Sequence, residues 1–257
     1  MSRSFNGTSD YLDTSTLIIS GEPLTMACWF NSNTLAASQG LMSLNRASDG
    51  NHYHCLAAAG GAAGDPIRAI TFDGTSFVGS STTTGYSANT WHHACGVWAS
   101  STSRTSYIDG GSKNTNTTSS TPTIDKASIG RFSSGGSYMN GEIAEACAWD
   151  VALTDAEVAI LATGVSPLKV RPQNIVCYWP IIGRTSPEID IVGGIDLTVN
   201  GATVAEHPRI FNIGGNIISF AAAGAAPVTG RIMSSLTNYG GLAGHGGIAG
   251  TGGGLAG

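Results

Sequence analysis

The chain has 257 residues, of which 36 are glycine and only 11% are charged, and its formal net charge is -5. So few cations on an acidic background exclude a basic nucleic-acid groove as the default reading. A composition rich in Ser, Thr and Gly suits an exterior β-protein that hydrogen-bonds more than it pairs ions, and the length allows one large sandwich plus an extension.

The N-terminus reads MSRSFNGTSDYLD and has no apolar signal core, so Sec export is not expected and synthesis in a host cytoplasm is. Short runs rich in β-branched and aromatic residues then recur between Gly, Asn, Asp and Ser clusters. They predict strands over 3-6, 9-12, 16-19, 24-32, 40-44, 51-58, 67-72, 76-79, 90-99, 104-109, 127-131, 142-149, 175-181 and 196-199. This spacing of short strands predicts an all-β sandwich or jelly roll. The stretch 24-32 alternates Met26, Cys28 and Phe30 against Thr25, Ala27 and Trp29. The run from Thr90 leads through a second strand to Asp109-Gly110, a turn favoured in hairpins, so 90-109 reads as one hairpin. The polar stretch 111-122 reads as a solvent-facing loop.

Five cysteines, Cys28, Cys55, Cys95, Cys147 and Cys177, stand singly within apolar or aromatic segments and read as reduced core residues.

The stretch from Gly141 to Gly164 organises the chain. If 142-149 is extended, Ile143, Cys147 and Trp149 share one face and Ala144, Ala146 and Ala148 the other. Both faces are apolar, so the strand is expected to be central and covered on both sides. Thr154 and Glu157 form a capping box, Leu153 and Val158 a hydrophobic staple, and Gly164 a left-handed stop. They predict one short helix in an otherwise β-patterned chain.

The ordered series FNGTSDY (5-11), TMACWF (25-30), WHHA (91-94), YIDG (107-110), IGR (129-131), GEIAEACAW (141-149) with LTDAEV after it, and VCYWP (176-180) resembles the laminin-G-like branch of the concanavalin A-like jelly rolls over about residues 3 to 205. The resemblance implies two curved antiparallel sheets packed face to face, with the N- and C-terminal strands paired. It does not imply one function, because that family includes lectins, adhesion modules and virion proteins.

After Pro208 the character changes, giving an expected division into a jelly-roll domain (1-208), an extended arm of apolar and small residues (209-239) and a Gly-rich tail (240-257). Asn212, Asn216 and several glycines interrupt the apolar run 210-228, so an arm lying on a partner subunit is preferred to a membrane span. In the tail G-G-[L/I]-A-G occurs at 240-244, 246-250 and 253-257, and glycine falls at every third position through Gly241, Gly244, Gly247, Gly250 and Gly253. That is the spacing a triple helix needs at its crowded axis. In a three-per-turn helix Leu242 and Ile248 share a face, and Leu255 belongs to the third copy. These residues are the candidate oligomerisation or anchoring site, with a homotrimer as the expected state and a flexible tail as the other reading.

Catalysis is not expected. Glycosidases on such jelly rolls place paired carboxylates at even spacing on one strand, whereas Glu142 and Glu145 are three apart and fall on opposite faces unless a bulge intervenes. His52 and His54 share a strand face but lack further zinc ligands, and His92 and His93 point oppositely, so all four read as structural. No cofactor is assigned. Calcium stays open, with Asp10, Asp109, Asn140 and Asp190 as loop oxygens that could contribute or could simply cap turns.

Two functional readings follow. One is a non-enzymatic virion protein, a phage capsid decoration, head-fibre or tail-associated module on the virion exterior, whose partners are other virion proteins and whose Gly-rich tail resembles those of phage fibre and decoration proteins. The alternative is a carbohydrate-binding lectin or adhesin for cell-surface glycans, calcium-dependent or not, using exposed aromatics and loop amides on one rim of the sandwich.

Overall fold

In a computed structural model that describes residues 1-210 apart from Ser134 and Arg184, the alternating runs pair into two antiparallel sheets. The strands are β1 (Ser2–Asn6), β2 (Tyr11–Thr14), β3 (Leu24–Ser32), β4 (Ser38–Asn45), β5 (His52–Ala59), β6 (Pro66–Asp73), β7 (Phe77–Gly85), β8 (Trp91–Ser100), β9 (Ser103–Ile108), β10 (Gly111–Asn116), β11 (Lys126–Ile129), β12 (Asn140–Trp149), β13 (Ile175–Trp179), β14 (Thr198–Asn200) and β15 (Thr203–Ala205). One helix, α1 (Asp155–Ala162), follows β12. The first sheet runs β10-β9-β8-β3-β12-β1-β15 with β13 also on β12, and the second runs β14-β2-β11-β4-β5-β6-β7. The concanavalin A-like jelly-roll sandwich expected from the sequence is therefore present.

The sheets pack through the faces that strand alternation makes apolar. Phe5, Phe30, Trp98 and Trp179 meet Leu12, Met42, Leu44, Leu56 and Ile67 in one buried core. Each such side chain taken fully from water contributes about 1.5–3 kcal/mol. The buried indole N–H groups are satisfied: Trp98 donates to Thr71 Oγ1 at 3.0 Å, Trp149 to the Val170 carbonyl at 2.9 Å and Trp179 to the Ile195 carbonyl at 2.7 Å.

The first sheet carries a second core on its outer face. There Cys147, Trp149, Tyr107 and Tyr178 meet Leu153, Val158 and Leu161 from the helix and its approach. The helix begins as its capping box predicts, with Thr154 Oγ1 accepting from the Glu157 amide and Glu157 reaching back to the Thr154 amide. Gly164, at φ +86°, follows its end. All five cysteines are buried and unpaired.

Several local expectations are corrected. Residues 16-19 form no strand; Ile19 is buried, but the stretch joins neither sheet before β3. The run 111-116, expected as loop, is the edge strand β10, which pairs antiparallel with β9 and adds a hydroxyl contact between Thr105 and Thr115 at 2.8 Å. Asp109-Gly110 accordingly joins β9 to β10, while β8 and β9 are joined at residues 101-102.

The largest correction is in β12. Glu145 takes φ +56° and the register with β3 slips between Ala144 and Cys147. This bulge reverses the alternation beyond it. Ile143 therefore shares the inter-sheet core with Ala146 and Ala148, and Cys147 and Trp149 lie on the outer face under the helix.

Candidate ligand groove

The outer face of the second sheet offers the concave site. Because residues two apart share a face, β5 directs Tyr53, Cys55, Ala57 and Ala59 outward, β6 directs Arg68, Ile70 and Phe72, and β7 directs Phe77, Gly79 and Ser81. The rings form a row: Phe132 to Tyr53 is 6.2 Å between centroids, Tyr53 to Phe72 is 5.7 Å and Phe72 to Phe77 is 6.3 Å. Beside them the small side chains of Ala57, Ala59 and Gly79 keep the floor low. The result is a groove of about 530 Å³, and Phe77 at its edge is 56% exposed. A smaller depression of about 400 Å³ continues it past Arg68, Ile70 and Phe77 to Asn116 and Thr118.

Two loops form the rim and are fastened to each other. Ser133 donates through its hydroxyl to the Gly50 carbonyl, and its amide donates to Ser43 Oγ at 3.1 Å. Beneath the second loop, Asn45 Nδ2 donates to Ser43 Oγ at 2.9 Å and Ser128 Oγ at 3.3 Å, so the buried polar floor is bridged. Gly40 lets the loop approach: a Cβ there would lie 2.1 Å from the Arg131 carbonyl carbon. The other rim is held by Arg46, whose Nε donates to Asp49 Oδ1 at 3.0 Å; the Asn51 amide donates to the same oxygen. The Arg46 guanidinium, followed by that amide, holds the Asp49 carboxyl below its usual range. Chemically the site is an aromatic strip with amide and hydroxyl groups around it, suited to a ligand with one apolar face and many hydroxyls.

The residues singled out from the sequence lie elsewhere. Asp10, Asp109 and Asp190 cap turns or tie loops. Asp190 Oδ1 accepts from the amides of Tyr178, Val192 and Gly193 at 2.9–3.0 Å, and its Oδ2 accepts from Ile195 at 3.2 Å. Asp10 accepts from the Asn6 amide at 3.1 Å, and Asp109 binds the His93 amide at 2.9 Å and His92 Nδ1 at 2.7 Å. Asn140 accepts from the Asn33 side chain at 3.2 Å. Among the described residues no group of three or more His, Cys, Asp or Glu could hold a metal ion. His52 Nδ1 accepts from the Thr123 amide at 3.3 Å, and His54 is buried beside Thr71.

The bulge also undoes the spacing argument about Glu142 and Glu145, because both now lie on the outer side of the first sheet, Glu142 opposite in sense to Ile143 and Glu145 beside Tyr178. Glu145 is fully engaged, accepting from the Tyr178 hydroxyl and pairing with His207 Nε2 at 3.1 Å. It ties the end of the domain to β12. Burial, then repulsion from Glu206, raises the Glu142 carboxyl above its usual range. The tail positions Gly241, Leu242, Gly244, Gly247, Ile248, Gly250, Gly253 and Leu255 lie outside the described residues.

Sequence reasoning assigned no residue to the groove. The available signal was FDGTSF (72-77), a turn flanked by two phenylalanines that belong to no inward-facing run.

A family model described as the concanavalin A-like lectin/glucanases superfamily matches residues 6–159. No curated protein matches the sequence. Similar solved structures include a candidate carbohydrate-binding protein from Bacteroides ovatus, at 18% identity and TM-score 0.55, covering 79% of this chain and 59% of that one. The heptameric SAP-like pentraxin of Limulus polyphemus follows at 18% identity and TM-score 0.51, covering 62% of this chain and 80% of that one. The Ruminococcus gnavus IT-sialidase CBM40 bound to α2,3-sialyllactose has 12% identity and TM-score 0.51, covering 63% of this chain and 98% of that one. At these identities the likeness is one of fold.

Proposed function

The chain belongs to the concanavalin A-like lectin/glucanases superfamily, and from that premise we propose that it binds carbohydrate, without hydrolysing it, in the groove on the seven-stranded sheet. The observation that carries this reading is the row Phe132, Tyr53, Phe72 and Phe77, open to solvent at Phe77 and framed by polar loops. An aromatic face covers the C–H face of a pyranose while amides and hydroxyls meet its OH groups. Two similar structures, the Bacteroides ovatus candidate carbohydrate-binding protein and the CBM40 bound to sialyllactose, make a sugar the first ligand class to test. Single-site affinity in so open a groove is weak, so display of many copies is the condition under which binding is read. On a glycan array at multivalent density, with and without calcium, the protein is expected to retain a subset of glycans. Phe77→Ala, which removes an exposed ring and leaves the core intact, is expected to lower that affinity about ten-fold, equivalent to about 1.4 kcal/mol. An array silent in both conditions overturns the reading.

A second reading concerns display rather than recognition, and is compatible with the first: a virion structural module, on a capsid or tail exterior, anchored or trimerised through residues 209-257. Three copies of G-G-[L/I]-A-G support it, as do five unpaired buried thiols, which suit assembly in a reducing cytosol. The expected result is a trimer by light scattering for the full chain and a monomer for a version ending at Pro208. Monomers in both cases overturn the trimer.

A further inference from the structure

Arg68 places a cation in the groove that no carboxylate answers among the described residues. It stands on β6 between Ala57 of β5 and Ser81 of β7, and it lines both the main groove and its continuation. Its Nε donates to Ser81 Oγ at 3.0 Å; among the described residues its two terminal nitrogens have no protein partner. The other charged residue lining the groove, Asp49, is occupied by Arg46 and the Asn51 amide. The remaining polar lining consists of serine, threonine, asparagine and tyrosine side chains and is neutral. A chain of net charge -5 thus keeps, in the same groove as its exposed aromatic edge and four residues along β6 from Phe72, a guanidinium with no carboxylate partner among the described residues.

We propose that the groove selects acidic glycans, Arg68 receiving a sugar carboxylate or sulfate while the ring bearing it rests against Phe72 and Phe77. This rests on the carbohydrate reading and narrows it. A guanidinium presents parallel N–H donors in a plane that matches a carboxylate or sulfate edge, and it sheds water more readily than an ammonium. Partial enclosure by the rim strengthens the pairing relative to open solvent. A nucleic acid is a poor fit, because phosphate-backbone binding needs many cations along a track and the groove has one.

The test uses the full chain on matched glycan pairs that differ only in their acid groups: uronic-acid glycans with their carboxyl-reduced forms, and sulfated glycans with their desulfated forms. The acidic member is expected to bind on the order of ten-fold more tightly, with a preference that shrinks as ionic strength rises. Arg68→Gln is expected to abolish the difference between acidic and neutral members, with an unchanged thermal transition. Arg68→Lys keeps the charge but loses the fork and is expected to retain part of the preference. Equal binding of acidic and neutral members, or a preference that survives Arg68→Gln, overturns the acidic assignment and leaves the lectin reading standing. Failure of every acidic and neutral glycan to bind overturns both.

Discussion

His54 and His93 are aromatic core residues that happen to titrate. His54 sits against Thr71, Trp98 and the Glu22 carboxylate, with Arg104 nearby; burial first, and then the Arg104 charge, lowers its pKa from the ordinary 6.5 to about 3. His93 packs edge-on to Trp29 at 5.5 Å, and burial lowers its pKa to about 4 although Asp109 pulls the other way. Both are depressed in the folded state, so the unfolded chain takes up protons first. Their contribution is therefore complete above about pH 6.5 and is lost progressively as pH falls toward 4 and 3. The urea midpoint is expected to drop between pH 7 and pH 4, and His93→Gln is expected to flatten that drop. A midpoint independent of pH over that window would show that these two rings do not set acid stability. Glu145 makes a related point about single residues. One left-handed φ at an ionisable side chain reverses the faces of the four residues after it, and no propensity in AEACAW announces that turn.

At the scale of elements, the helix and the strands with inward alternation were legible because local chemistry and tertiary demand agree there: Thr154 and Glu157 cap, Leu153 and Val158 pack, and Phe30, Met26 and Cys28 point one way. Strand β10 was not legible, since GSKNTN at a sheet edge buries no apolar face, and Lys113 and its polar neighbours serve an edge that must stay soluble. The groove was partly legible at most. Its floor is made by three strands adjacent in sequence, but its rim depends on the backbone of Arg131, Phe132 and Ser137 approaching β4 closely, which requires the bare Gly40. Gly40→Ala is expected to displace that loop, costing about 1–3 kcal/mol by overpacking and weakening glycan retention while leaving the far-UV spectrum β-type. Unchanged stability and unchanged retention would show that the loop has room to move.

At the scale of the whole molecule, the jelly roll is closed by contacts between the two ends of the domain. Strand β1 pairs with β15, and Arg3 donates to Glu188 at 2.6 Å and to the Ala202 carbonyl at 2.9 Å, all within the buried seam. His207 meets Glu145 at the same end; burial opposes its charge, but the bond to Glu145 prevails and raises its pKa. These partners stand far apart along the chain, so periodicity cannot pair them. By itself the sequence determined the class of fold, the central strand and the one helix, because hydrophobic alternation and capping are local signals that each residue carries with it. Only the tertiary structure decided which strands border which, where β12 changes face, and that Tyr53, Arg68, Phe72, Phe77 and Phe132 converge on one groove. Such convergence depends on register and on loops crossing a sheet, quantities set by the packing of distant segments and written in no single stretch of the chain.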